Sequence, residues 1–222
     1  TGARDYAAYL ALDRLLALQE PQSRPIAADE ILFISVHQIS ELWFKLVLHE
    51  LSGAIRDFAA DRLLPAAKHL ARTQAIFREL SGVWEVLETL TPSDYQAFRP
   101  ALGQASGSGS FQFHAIEYAL GYRESGDPNL SAYPEATRRW LMGWYEEPSL
   151  YEAFVGALGR LGYPVPRSVV GDSGRSGSGA RGGVRDGLSR AACPLGGLRG
   201  VREAHGSRRG HPALAVSSCS CS

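Results

Sequence analysis

Beyond Tyr163 the sequence has no aromatic residue, and before Cys193 it has no cysteine. The first absence bears on folding. Residues 168–222 hold 12 glycines, 10 serines and 8 arginines with only three acids, giving net +5 against −5 for the first 167 residues. A stretch without rings and with this much glycine cannot bury enough surface to offset the entropy of ordering it. It reads as a disordered tail. The abrupt change of composition is also what a shifted reading frame through GC-rich coding DNA would produce. The basic run at 202–209 can touch polyanions or simply be solvated. The second absence bears on metals: Cys193, Cys219 and Cys221 show no ligand pattern, and Cys219-Ser-Cys221 is too tight for a structural zinc site.

An excess of charge is missing too. With 23 basic and 23 acidic residues, the total points to neither nucleic acid nor an anionic membrane as partner. No uninterrupted apolar run reaches the roughly 18 residues of a membrane span. The first residues, TGARDYAAYLALD, place acids and tyrosines where a signal peptide needs an apolar stretch, so the expected compartment is the cytoplasm. Nowhere does the sequence alternate with the two-residue period of a strand, and no internal repeat is visible.

What is present reads as helix. Tyr6, Tyr9, Leu10, Leu12, Leu15 and Leu16 recur at three-to-four spacing and predict an amphipathic helix over 5–19. Pro21 and Pro25 break it. A long helix is expected over 29–57, its acidic start favoured by the helix dipole, and another over 61–89, with Pro65 in its first turn. Thr-Pro-Ser-Asp at 91–94 stops that helix and starts a short one through Arg99. A loop of little side-chain bulk at 104–110 follows, then helices over 111–123, about 135–146 and 149–162. The last opens on a Ser149–Glu152 capping-box pattern. The expected class is all-α, a bundle of long helices.

One segment raises a chemical question: Phe33-Ile-Ser-Val-His-Gln-Ile-Ser-Glu-Leu-Trp-Phe-Lys45 sets a histidine in strongly apolar company. On a helix Phe33, His37, Glu41 and Lys45 share one stripe. Glu41 and Lys45 stand in the favourable order for an ion pair of a few tenths of a kcal/mol. Ile31, Leu32, Ile34 and Val36 on the other faces suggest a helix buried nearly all round, where His37 needs a partner. Either it bonds to Glu41 or a backbone carbonyl at the core boundary, or it faces a bound molecule.

The run from Asp29 to Gln38, continuing through Glu41-Leu-Trp-Phe-Lys45 and His49-Glu-Leu51, resembles the signature helix of the tryptophan 2,3-dioxygenases. Tyr6-Ala-Ala-Tyr-Leu-Ala-Leu-Asp13 is similar to that family's N-terminal helix. Trp84 to Pro92 and Tyr95-Gln-Ala-Phe-Arg99 resemble the segment before its substrate loop, and Ser149-Leu-Tyr-Glu152 a later helix. The likeness covers about residues 5–166, in family order. It implies a helical haem- and substrate-binding domain over 1–166, incomplete relative to the family, with 167–222 as the tail.

The resemblance also implies an activity: opening of the indole ring of L-tryptophan by O2 to N-formylkynurenine, in tryptophan catabolism by the kynurenine pathway. The cofactor implied is haem (heme b, with its iron) and the assembly a homotetramer. Phe33 and His37 fall on the indole pocket, where His37 would accept the indole N–H as the catalytic contact. Tyr95 and Arg99 fall on pocket positions, with Arg99 holding the amino-acid carboxylate through a planar guanidinium. Read alone, Arg99 is a surface arginine at a helix C-terminus, favoured there by the dipole, and the family context reverses that reading. Ser106 and Gly107 match a loop touching substrate or haem. Tyr6 and Tyr9 match residues reaching a neighbouring subunit's pocket, or else pack in the core. Trp84 falls near the haem, or is simply part of an apolar stripe.

Two departures stand out. The family's Gly-Phe-Gln-Ser pattern reads Gly107-Ser-Gly-Ser110 here, and His114 stands where arginine is expected. That leaves room for a modified tryptophan as substrate. Resemblance also stops near Pro166, so no residue matches the proximal histidine that ligates the iron. His205 and His211 are the histidines that remain in the tail. An inactive helical fragment is the alternative reading.

Overall fold

The computed structural model describes residues 5–103, 109–123 and 130–165. The expected disordered tail, and with it Cys193, Cys219, Cys221, His205 and His211, lies outside the described residues. The element order is α1 (Tyr6–Leu10), α2 (Leu12–Leu15), α3 (Glu30–Ala59), α4 (Leu63–Leu87) and α5 (Pro92–Phe98). A 3-10 turn (Arg99–Leu102) extends α5, and α6 (Phe111–Leu120), α7 (Glu135–Glu146) and α8 (Leu150–Arg160) follow. Among the described residues there is no strand. The all-α class is observed.

The long helix α3 is the axis: α4 packs along it, α6 and α8 pack against it, and α7 joins through α6. Its inward stripe Phe44, Val47, Leu48 and Leu51 meets Ile76 and Leu80 of α4, Ala115, Ile116 and Ala119 of α6, and Leu141 of α7. By length and mean hydropathy (1.4 over its most apolar window) α3 would also qualify as a membrane span. Here its apolar stripe is the bundle core, and it buries the carboxylates Glu30, Glu50 and Asp57.

The helix ends follow local chemistry. The Thr91 hydroxyl accepts from the Asp94 amide while the Asp94 carboxylate accepts from the Thr91 amide, closing a capping box on α5. Ser149 and Glu152 do the same for α8, as their spacing predicts. The helix α6 ends at Leu120 rather than 123 because Gly121 turns left-handed, with φ 96°. A Cβ there would also sit 3.1 Å from the Ser149 hydroxyl. Asp61, at φ 58°, closes the turn that delays α4 to Leu63.

Two expectations fail. The helix over 5–19 is two short pieces divided at Ala11, whose φ of 51° is left-handed. Five-residue helices draw little stability from themselves, and Tyr6, Tyr9, Leu10 and Leu16 are exposed rather than packed. Nor is α3 buried all round: Ile31, Ile39 and Leu42 face outward, and its N-terminal half is only partly covered.

Candidate functional site

The start of α3 is fixed by a buried carboxylate. Glu30 accepts the backbone amides of Gln22 at 2.8 Å and Ser23 at 3.0 Å, and also the Ser23 hydroxyl. Burial would raise its pKa, but the hydrogen bonds from Ser23 and Gln22 outweigh burial and hold it below the usual value. Further back, Gln19 and Gln38 are hydrogen-bonded side chain to side chain, and Gln38 donates to the Leu18 carbonyl at 2.9 Å. These ties anchor the preceding segment at the turn of α3 that carries Phe33 and His37.

The His37 Nδ1 lies 2.7 Å from the Phe33 carbonyl oxygen. A carbonyl only accepts, so Nδ1 carries the proton and donates. Burial holds the imidazole below its ordinary pKa, against the Phe33 carbonyl and the Glu41 charge, which both pull it up. At neutral pH the ring is therefore uncharged, with its proton on Nδ1 and a lone pair on Nε2. Of the two readings of His37, the backbone partner is observed, and it occupies only one of the two ring nitrogens.

Aromatic rings surround it. The Phe33 ring lies 4.1 Å from that of His37, centroid to centroid, and Trp84 of α4 meets His37 edge-on at 5.8 Å. Phe33 in turn contacts Tyr95 at 6.1 Å and Phe98 at 5.3 Å, and Tyr95 and Phe98 are 5.4 Å apart. Thus α3, the end of α4 and α5 bring Phe33, His37, Trp84 and Tyr95 into one group. Phe98, fully buried, belongs to it as well. The sequence offered a signal for Phe98, since it stands three residues after Tyr95 on the same helical face. Among the described residues the Trp84 indole Nε1 is buried without a hydrogen-bond partner. A buried donor left unpaired carries a penalty of about 1–3 kcal/mol, so this atom is a ready donor to a bound group.

The other expected residues are placed differently. Arg99 begins the 3-10 turn next to Phe98, half exposed, and donates from Nη1 to the Gly103 carbonyl at 3.0 Å. Tyr6 and Tyr9 are 76% and 74% exposed and are not packed in a core. Ser106 and Gly107 lie outside the described residues. His114, at the position where arginine was expected, sets Nδ1 3.0 Å from Glu117 on its own helix. Glu41 and Lys45 form no ion pair among the described residues. The Glu41 carboxylate accepts instead from the Gln112 amide at 2.8 Å, and Lys45 is exposed.

A second polar cluster was not foreseen. Glu50, 1% exposed, bonds His69 Nδ1 at 2.6 Å and Arg72 at 2.7 Å, and His69 Nε2 stands 3.5 Å from Asp57. An open concavity of about 480 Å³ lined by Leu64, Pro65, Lys68, His69 and Arg72 lies beside it. Fifteen residues of α4, about 22 Å at the helical rise, separate His69 from Trp84. Among the described residues no group of three His, Cys, Asp or Glu side chains is arranged to hold a metal ion.

The described residues thus fit one wall of a planar aromatic ligand's site: an uncharged imidazole with a free acceptor, an unpaired indole N–H, and stacked rings. The sequence profile of the tryptophan 2,3-dioxygenases matches residues 1–137. The chain is 47% identical over 169 residues to tryptophan 2,3-dioxygenase of Myxococcus xanthus, covering 76% of this chain and 58% of that protein. The same enzyme of Xanthomonas campestris pv. campestris (strain B100) is 45% identical over 166 residues, 75% of this chain and 56% of its own length. That of Saccharopolyspora erythraea is 47% identical over 165 residues, 74% and 59%. The chain therefore spans less than three fifths of the relatives it matches, and the stretch that matches includes every residue of the ring group around His37. On these matches the chain belongs to the tryptophan 2,3-dioxygenase family.

Proposed function

We propose that this chain carries the substrate side of a haem-dependent dioxygenase that opens the indole ring of L-tryptophan to N-formylkynurenine. The observation that carries the proposal is the state of His37, neutral, tied at Nδ1 to its own helix and without a partner at Nε2 among the described residues. An indole N–H donates and cannot accept, so a bare imidazole nitrogen is its complement. Phe33 and Tyr95 supply the apolar faces against which an indole ring packs. Arg99, one residue beyond buried Phe98, is the cation for the substrate carboxylate, and to reach it the guanidinium exchanges the Gly103 carbonyl for a charged partner. Trp84 offers its unpaired N–H to the haem. When bound, the haem iron supplies the activation of O2, which no side chain here provides. The chain's own residues orient the substrate and exclude water, and orientation of this kind is worth up to several kcal/mol of barrier. No residue among those described is assigned as the iron's own ligand. The exposed Tyr6, Tyr9, Leu10 and Leu16 favour self-association, a homotetramer by family likeness.

The test is an absorption titration of the purified chain with haem. A Soret band that responds to reduction and CO, and shifts again with L-tryptophan, is the expected result. The spectrum of free haem throughout would contradict the proposal. The tryptophan response should also fade as pH falls through the lowered pKa of His37, below the usual imidazole value of 6.5. Protonated His37 has two donors and no acceptor.

A further inference from the structure

Gln112, in the first turn of α6, lies outside the ring group. It is half buried, and its Nε2 donates at 2.9 Å to the Glu41 backbone carbonyl and at 2.8 Å to the Glu41 carboxylate. The contact joins residues 71 apart in sequence. The turn of α6 that delivers it is itself capped, with Ser110 Oγ accepting from the Phe113 amide at 3.1 Å.

Glu41 stands exactly one helical step of four residues from both His37 and Lys45, so an untethered carboxylate would have two local partners. Pairing with His37 is the damaging one. A carboxylate beside an imidazole favours the protonated ring, and a protonated His37 has no acceptor. Glu41 already pulls the His37 pKa upward against burial. Among the described residues, the other groups reaching His37 are uncharged: Phe33 on its own helix, Trp84 of α4, and Tyr95 of α5 by way of Phe33. The charge of Glu41 is therefore the influence on the ring that a neighbouring side chain can regulate.

We propose that Gln112 is a positioning residue for His37: it holds the Glu41 carboxylate against α6, away from the imidazole, so that Nε2 remains an acceptor. An amide suits the task, since it donates to the carboxylate without neutralising it and without bringing a proton of its own to exchange. The proposal deepens the tryptophan-site reading by naming what keeps the acceptor free, and rests on that reading for its purpose but not for its test.

The test is the titration of the His37 ring by NMR in the full chain, without haem or substrate. Gln112→Met keeps the volume and removes the donor. The expected result is a His37 pKa higher by about half a unit to one unit, brought below its starting value when Glu41→Gln is added, since the upward pull of Glu41 is then gone. A melting temperature that falls while the His37 titration stays where it was would overturn the proposal, since it would mean a purely structural tie. Should Gln112→Met fail to fold, the unaltered chain decides: the Gln112 side-chain amide resonances should move as Glu41 titrates, and their failure to move overturns the clamp. A clamp confirmed in a chain that gives no tryptophan response would refute the function and leave the positioning role intact.

Discussion

Glu50→Ala should destabilise the bundle by about 1–3 kcal/mol, the cost of removing a buried carboxylate and leaving its hydrogen-bond partners unpaired. The carboxylate joins α3 to α4: it is almost wholly buried, with His69 at 2.6 Å and Arg72 at 2.7 Å. Removing it leaves His69 facing a void and facing Asp57 alone. Glycine at 53 shows how closely the imidazole is seated, because a Cβ there would lie 2.5 Å from the His69 ring. Arg72→Met should cost far less, since that side chain is 48% exposed and water screens its charge. The pH dependence has a definite sign. Burial would raise the Glu50 pKa, but Arg72 and His69 outweigh it and hold it below 4.5. Its contribution is thus fully present above the unfolded value and is lost as pH falls through the lower, folded one. Glu30 acts in the same sense. Thermal or urea unfolding of the two variants checks both magnitudes, and a loss under 1 kcal/mol for Glu50→Ala would mean the cluster is solvated.

Arg99→Ala should weaken L-tryptophan by about 10- to 100-fold, the worth of a charge-assisted hydrogen bond to a carboxylate. Tryptamine, which has the indole but no carboxylate, should bind the variant and the parent alike. Arg99→Lys should not restore the affinity, because an ammonium cannot reproduce two parallel bonds to a carboxylate. The guanidinium is half exposed and, among the described residues, holds the Gly103 carbonyl, so the substitution leaves the core in place. Isothermal titration with the two ligands separates this account from a general loss of structure, which would weaken both equally.

Much of the fold could be read from the sequence because its signals are local. The apolar period of α3 and α4, the proline and serine breaks, and the Ser149–Glu152 box all act within a few residues. The ring group is different: resemblance, not spacing, pointed to Phe33, His37 and Tyr95, which come from two helices, and Phe98, three residues after Tyr95, was not singled out. What was missed depends on partners distant in sequence. Glu50 and His69 meet across 19 residues, and Gln112 takes Glu41 from Lys45 across 71. The helix expected over 5–19 is absent for the converse reason: the apolar period is there, but a left-handed Ala11 divides it and its apolar side chains are exposed. Periodicity records which side chains want cover, and only the tertiary structure records whether they receive it.

The chemistry of the site turns on one nitrogen. Long-range proton–nitrogen correlation spectra of the His37 ring, taken on the haem-loaded chain in its diamagnetic ferrous CO form, read that atom directly. The expected spectrum places the proton on Nδ1 and leaves Nε2 bare, with the Nε2 resonance moving to that of a hydrogen-bonded acceptor as L-tryptophan is added. A ring protonated at Nε2, or an Nε2 resonance unmoved by saturating L-tryptophan, would contradict it.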